Sequence, residues 1–112
     1  MNATLQQTVA EVMVKQRAGQ FSLLKKLVQT GTETRSDQLI KASEKVAGLL
    51  EVLEFEVERH APDAARIEAQ GAQPMQNLVA RKQFGEGPVL AFVCHIDTVE
   101  AHPSWTFEPL AA

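Results

Sequence analysis

The residues best placed to do chemistry are His95 and Asp97, which close the apolar run in "VLAFVCHIDTVEAHPSWTF", residues 89–107. On an extended chain, residues two apart point to the same side. A carboxylate in that position can accept a hydrogen bond from one imidazole nitrogen, which fixes the tautomer and turns the other nitrogen toward a divalent metal. The bland alternative is a strand-end histidine satisfied by a backbone carbonyl, with the aspartate capping a turn. An isolated His-x-Asp does not separate the two. His60 and His102 lie beside a strand and a proline respectively and are expected on the surface as spectators. A mononuclear set of His95, His102 and Glu108 has the three protein ligands usual for catalytic zinc, but its spacing matches no ligand motif. Cys94 points to the face opposite His95 in a strand and is expected to be a buried packing thiol rather than a ligand.

Positioning this pair requires a scaffold. The chain predicts an α/β arrangement, helices packed on a mixed β-sheet. Thr4 with Gln7 forms a capping-box pattern, followed by Leu5, Val9, Val12 and Met13 at helical spacing. Gly19 is a candidate interruption, after which Phe21, Leu24, Leu27 and Val28 resume the period. Gly31 supplies a stop, and Thr34, Ser36 or Asp37 an N-cap for a second helix that runs to about Leu53 with Leu39, Val46 and Leu50 on one face.

"EFEVER", Glu54 to Arg59, alternates apolar and charged residues as a strand with one wet face does. Residues 61–76 read as a loop, with one helical turn around Ala64 to Ala69. "NLVARKQF", "GEGP" and "VLAFVC" read as two strands joined in a hairpin, the second apolar on both faces and therefore central. His95 then falls at the carboxyl end of a central strand, where open α/β sheets place their ligand-binding groups.

Composition bounds the rest. The 112 residues are 45% hydrophobic and 22% charged, which fits one globular domain or part of one and argues against disorder. The net charge of −3 and the scattering of the 11 basic residues argue against nucleic-acid binding. No apolar run approaches the roughly 20 residues of a membrane helix, and the N-terminus lacks the features of a signal peptide, so a cytoplasmic location without membrane contact is expected. The single cysteine excludes an intramolecular disulfide.

The surrounding text adds specificity. "GPVLAFVCHIDTV" followed by "WTFEPL" resembles the first metal-binding motif of the dinuclear zinc aminoacylase and carboxypeptidase family, which includes acetylornithine deacetylase, succinyl-diaminopimelate desuccinylase and glutamate carboxypeptidase. The likeness spans roughly residues 20 to 112, through "FSLLKKLVQ", "LLEVLEFEVE" and "NLVAR" to Trp105, Glu108 and Pro109, with residues 1–18 as an added helical extension. Two departures are Cys94, where the family commonly has glycine, and Glu100, where proline often follows Thr-Val.

The resemblance implies that His95 is a zinc ligand and that Asp97 orients it in a catalytic supporting role. It implies two zinc ions, with cobalt as a substitute, that activate water and polarise an amide carbonyl. The activity implied is that of a metallopeptidase-type hydrolase, either deacetylase or carboxypeptidase, acting on an N-acyl amino acid or a peptide. The family's other ligands and its general base lie downstream of the matched segment, so residues 1–112 are expected to be the N-terminal portion of a catalytic domain, inactive alone and prone to self-association. The rival is a non-catalytic α/β interaction module that keeps the fold without turnover.

Overall fold

A computed structural model describes residues 3–33 and 37–112. Its elements are helix α1 (Ala3–Thr30), helix α2 (Leu39–Val52), strand β1 (Glu56–His60), the short helix α3 (Ala64–Ala69) and strand β2 (Asn77–Arg81). The architecture is broadly α/β: β1 and β2 form a two-stranded antiparallel sheet, from Glu56 opposite Arg81 to His60 opposite Asn77, and α2 packs on both strands.

Helix α1 runs unbroken through Gly19, so the glycine does not interrupt it. At 1.5 Å per residue its 28 residues span about 42 Å. The Thr4–Gln7 capping box is not formed. Thr4 lies inside the helix, where its carbonyl accepts from the Thr8 hydroxyl, and the Gln7 amide donates forward to Glu11. Leu5, Val9, Val12, Leu23 and Leu27 share one side of α1 at 100° per residue, but Val14, Phe21 and Val28 stand outside it, so the helix is only weakly amphipathic. Only the C-terminal end of that apolar side is used, where Leu27 faces Gly48, Leu49 and Val52 of α2 across an apolar notch of about 400 Å³. Gly31 follows in the left-handed region at φ 70°, and a Cβ there would stand 3.4 Å from Leu110.

Among the described residues no side chain caps the start of helix α2. Gln38 holds the N-cap position without capping, and the Asp37 carboxylate instead accepts from the Gln38 amide. The alternative caps Thr34 and Ser36 lie outside the described residues. The C-terminal end is closed by a Schellman motif: Phe55 N–H donates to Leu50 O at 3.0 Å and Glu54 N–H to Glu51 O at 2.9 Å, with Glu54 in the left-handed region at φ 64°. Lys82 reinforces this end, donating to Leu53 O at 2.6 Å and to the Glu54 carboxylate while lying over the rings of Phe55 and Phe84.

The core between α2 and the sheet is thin. Its buried apolar residues are Leu39, Ala42 and Ala47. Ser43 is buried among them and satisfied, donating to Ile40 O and accepting from Gln76. Arg59 crosses from β1 to α2 and pairs with both Glu44 and Glu51 at 3.0 Å. In the following loop, the Asp63 carboxylate caps α3 by accepting from the N–H groups of Ala65 and Arg66.

The sheet departs from expectation in one important respect. Val89–Cys94 is not a central strand and makes no hairpin with β2, whose partner is β1. The segment is exposed, with Val89 94%, Phe92 85% and Val93 99% accessible, and Cys94 is exposed rather than buried. The physical reason is that β-propensity describes fit to a pleated surface and supplies no partner: none of the described elements lies alongside this run. Among the described residues the parallel pairing is an isolated bridge, Glu33 to Thr98, and the β1–β2 sheet is antiparallel and not mixed.

Candidate functional site

The site is built where the apolar segment ends. Thr98 N–H donates to Thr32 O at 2.9 Å, which ties the chain just after Asp97 to the segment leaving α1, and Thr32 itself is buried. Farther on, the C-terminal residues return to the same place: Leu110 stands against Gly31, and the Gln29 amide donates to Ala112 O. One flank of the His95–Asp97 pair is therefore anchored on the end of α1, and the other is the open run 89–94.

Within the pair, His95 Nδ1 lies 2.9 Å from the Asp97 main-chain oxygen and 3.2 Å from its Oδ1. Both partners are acceptors, so a neutral imidazole carries its proton on Nδ1 and leaves the Nε2 lone pair available. The ring is 84% exposed and the Asp97 side chain 43%, so that nitrogen is open to solvent. The carbonyl is the nearer partner, so the same residue provides both the backbone acceptor and the supporting carboxylate that the two readings of the motif invoke.

The other histidines differ in a way that matters. Ser104 N–H donates to His102 Nδ1 at 3.2 Å, which makes that nitrogen the acceptor and places the neutral proton on Nε2. His60 Nε2 faces the Glu58 carboxylate at 2.9 Å, and that carboxylate also pairs with Arg81. Both rings are on the surface, as their sequence positions suggest. Among the described residues no three His, Cys, Asp or Glu side chains converge on a metal position, so His95, His102 and Glu108 are not brought together. His95 fits one ligand position of a metal centre, and the described residues do not fit a whole one.

The notch between α1 and α2 takes its lining from Lys26, Leu27, Lys45, Gly48, Leu49 and Val52, none of them from the His95 segment. A cluster of charged and polar side chains also lies elsewhere. The Gln76 amide, and then the Arg59 guanidinium, hold the Glu44 carboxyl below its ordinary value, while Glu44 and Glu51 raise Arg59. This cluster joins α2, β1 and the loop before β2. The tether from Thr98 to Thr32 had no signal in the sequence, since two threonines 66 positions apart carry no mark of a shared hydrogen bond.

Comparison with protein-family models, curated proteins and solved structures found no match. No helix of the described residues is long and apolar enough to cross a membrane.

Proposed function

We propose that this chain is the His-x-Asp-bearing N-terminal portion of a zinc-dependent amidohydrolase or exopeptidase, in a zinc-peptidase-like catalytic domain whose substrates are N-acyl amino acids or peptides. The observation that carries the reading is the geometry at His95 Nδ1: two acceptors, Asp97 O and Oδ1, face it, so a neutral imidazole bears its proton there and presents an exposed Nε2 of the kind that ligates zinc. The likeness of "GPVLAFVCHIDTV" and "WTFEPL" to the family's first metal-binding motif supports the same assignment. A bound zinc, or cobalt in its place, supplies Lewis-acid polarisation of the amide carbonyl and an acidified water. Within this chain, His95 contributes one ligand and Asp97 holds its orientation.

The test is to titrate zinc into the chain while following the histidine side-chain nitrogens by NMR. His95 Nε2 is expected to shift at lower zinc concentration than any nitrogen of His60 or His102, and Asp97→Ala to weaken that response. If His60 or His102 responds first, the assignment fails. Hydrolysis of N-acyl amino acids by the zinc-loaded chain is expected to stay at the level of His95→Ala, because one histidine cannot supply the ligand set and base such a reaction requires. Zinc-dependent turnover lost in His95→Ala would show residues 1–112 to be sufficient.

The exposed run 89–94 favours a second reading, a non-catalytic α/β module that uses this surface for interaction. The two readings separate in the coding sequence beyond the codon for Ala112. An open frame that continues into further acidic and histidine ligands supports the hydrolase, and a stop codon supports the module.

A further inference from the structure

Val89–Cys94 combines three properties rarely left open in a monomer. Its large apolar side chains are almost wholly exposed, Leu90 at 77% and Val93 at 99%. Its backbone forms no main-chain hydrogen bond, and residues 88–97 pass without helix, turn or bend. From Gly87 to Cys94 it carries no charge. An apolar face alone calls for any greasy cover. Unpaired N–H and C=O groups along a chain without turns call specifically for another strand.

The amount of exposed surface points the same way. The chain exposes 9570 Å², whereas a compact monomer of 12.3 kDa exposes roughly 6,100 Å² by the size scaling of folded proteins. The excess, on the order of 3,000 Å², is several times the roughly 800 Å² per partner of a stable interface. A second copy brings the required strand with it.

We infer that Val89–Cys94 is a self-pairing strand, through which two copies of this chain associate antiparallel about a two-fold axis through Ala91. The register centred on Ala91 sets Val89 opposite Val93, Leu90 opposite Phe92 and Ala91 opposite Ala91 of the other copy, so every cross-strand pair is apolar. A two-fold interface of this kind is self-complementary by construction. No like charges meet inside the ladder, and the net charge of −3 per copy is too small to hold the copies apart at physiological salt. The ladder ends where Pro88, which has no N–H, faces Cys94 of the other copy. The inference is independent of the metal assignment, since neither the strand's apolar faces nor its main chain uses His95 Nε2.

The experiment is sedimentation of the full chain across a wide concentration range, with amide hydrogen exchange read at residues 89–94, for the wild type, Leu90→Pro and Ala91→Pro. In an antiparallel ladder neighbouring pairs alternate between hydrogen-bonded and non-hydrogen-bonded. One of the two prolines therefore removes a ladder donor whichever phase holds. Neither removes a main-chain bond within a copy, so circular dichroism should show unchanged helix content. The expected result is a concentration-dependent dimer whose 89–94 amides exchange at least about tenfold more slowly than in the dissociated protein, and which at least one proline variant converts to monomer. Larger assemblies dissolved by the same variant also support the pairing, through the strand's second edge. A monomer at every concentration, assembly untouched by both prolines, or assembly with freely exchanging 89–94 amides overturns it.

Discussion

His95 has two supports of unequal closeness, and the difference sets what each substitution does. The main-chain oxygen of Asp97, at 2.9 Å from Nδ1, survives any side-chain change at that position, whereas Oδ1 at 3.2 Å does not. Loss of a supporting carboxylate typically lowers metal affinity by about 10- to 100-fold. Asp97→Ala is therefore expected at the lower end, about tenfold, and His95→Ala to abolish the site; isothermal titration with zinc measures both, and equal losses would mean that the carbonyl contributes nothing. Glu54 offers a cleaner stability test. It occupies the left-handed position that closes α2, where a non-glycine residue costs about 1–2 kcal/mol. Glycine relieves that strain but is looser in the unfolded chain, and the ion pair to Lys82 that is lost involves a Glu54 side chain 86% exposed. Glu54→Gly is expected to stabilise the chain by about 0.5 kcal/mol in urea denaturation, and a loss of stability would show that the Lys82 contacts outweigh the strain.

At the scale of elements, α2 and the two strands are held as much by a polar cluster as by apolar packing. Glu44 accepts from Gln76 and Arg59, and these hydrogen bonds favour its ionised form. Its folded-state value therefore lies below the unfolded one, about 4.3 for glutamate. The stabilisation is complete above that value and is lost as pH falls through the depressed one. Thermal melts between neutral pH and strongly acidic pH should show a loss of stability that is smaller in Glu44→Gln; identical slopes for the two proteins would remove Glu44 from the pH dependence.

Where local pattern and local partner coincide, the elements were legible in the sequence. The short helix at Ala64–Ala69 and the strand "NLVAR" appear where the residues place them, and the strand expected over Glu54 to Arg59 is found at Glu56–His60, with Phe55 just before it. The His95–Asp97 contact was legible for the same reason, because two positions of spacing suffice to define it. What the sequence did not reveal was pairing. The antiparallel match of β1 to β2 joins residues separated by α3 and its flanking loops, and the isolation of 89–94 depends on what lies beside it, which no periodicity reports. Gly19 was misleading because its cost in a helix, about 1 kcal/mol, is small against the 27 other residues of α1.

The whole molecule is extended for its size. Its radius of gyration is 17.4 Å, against about 13 Å for a compact domain of this length, and its buried apolar core consists of Leu39, Ala42 and Ala47. An unfolded chain of this mass exposes roughly 18,000 Å², so folding to 9570 Å² removes a little under half of it, where about two-thirds is usual. Denaturant sensitivity scales with the area exposed on unfolding. The urea m-value of the dilute monomer should therefore be roughly 0.7 of that expected for a compact domain of equal length, with a broad thermal transition below about 65 °C. If copies pair through 89–94, the m-value and the midpoint both rise with protein concentration, because association adds buried area and favours the folded state by mass action. A full-sized m-value at high dilution, with a sharp transition that does not move with concentration, would mean that the apolar run packs against its own chain and that α1 and residues 89–94 close the core together.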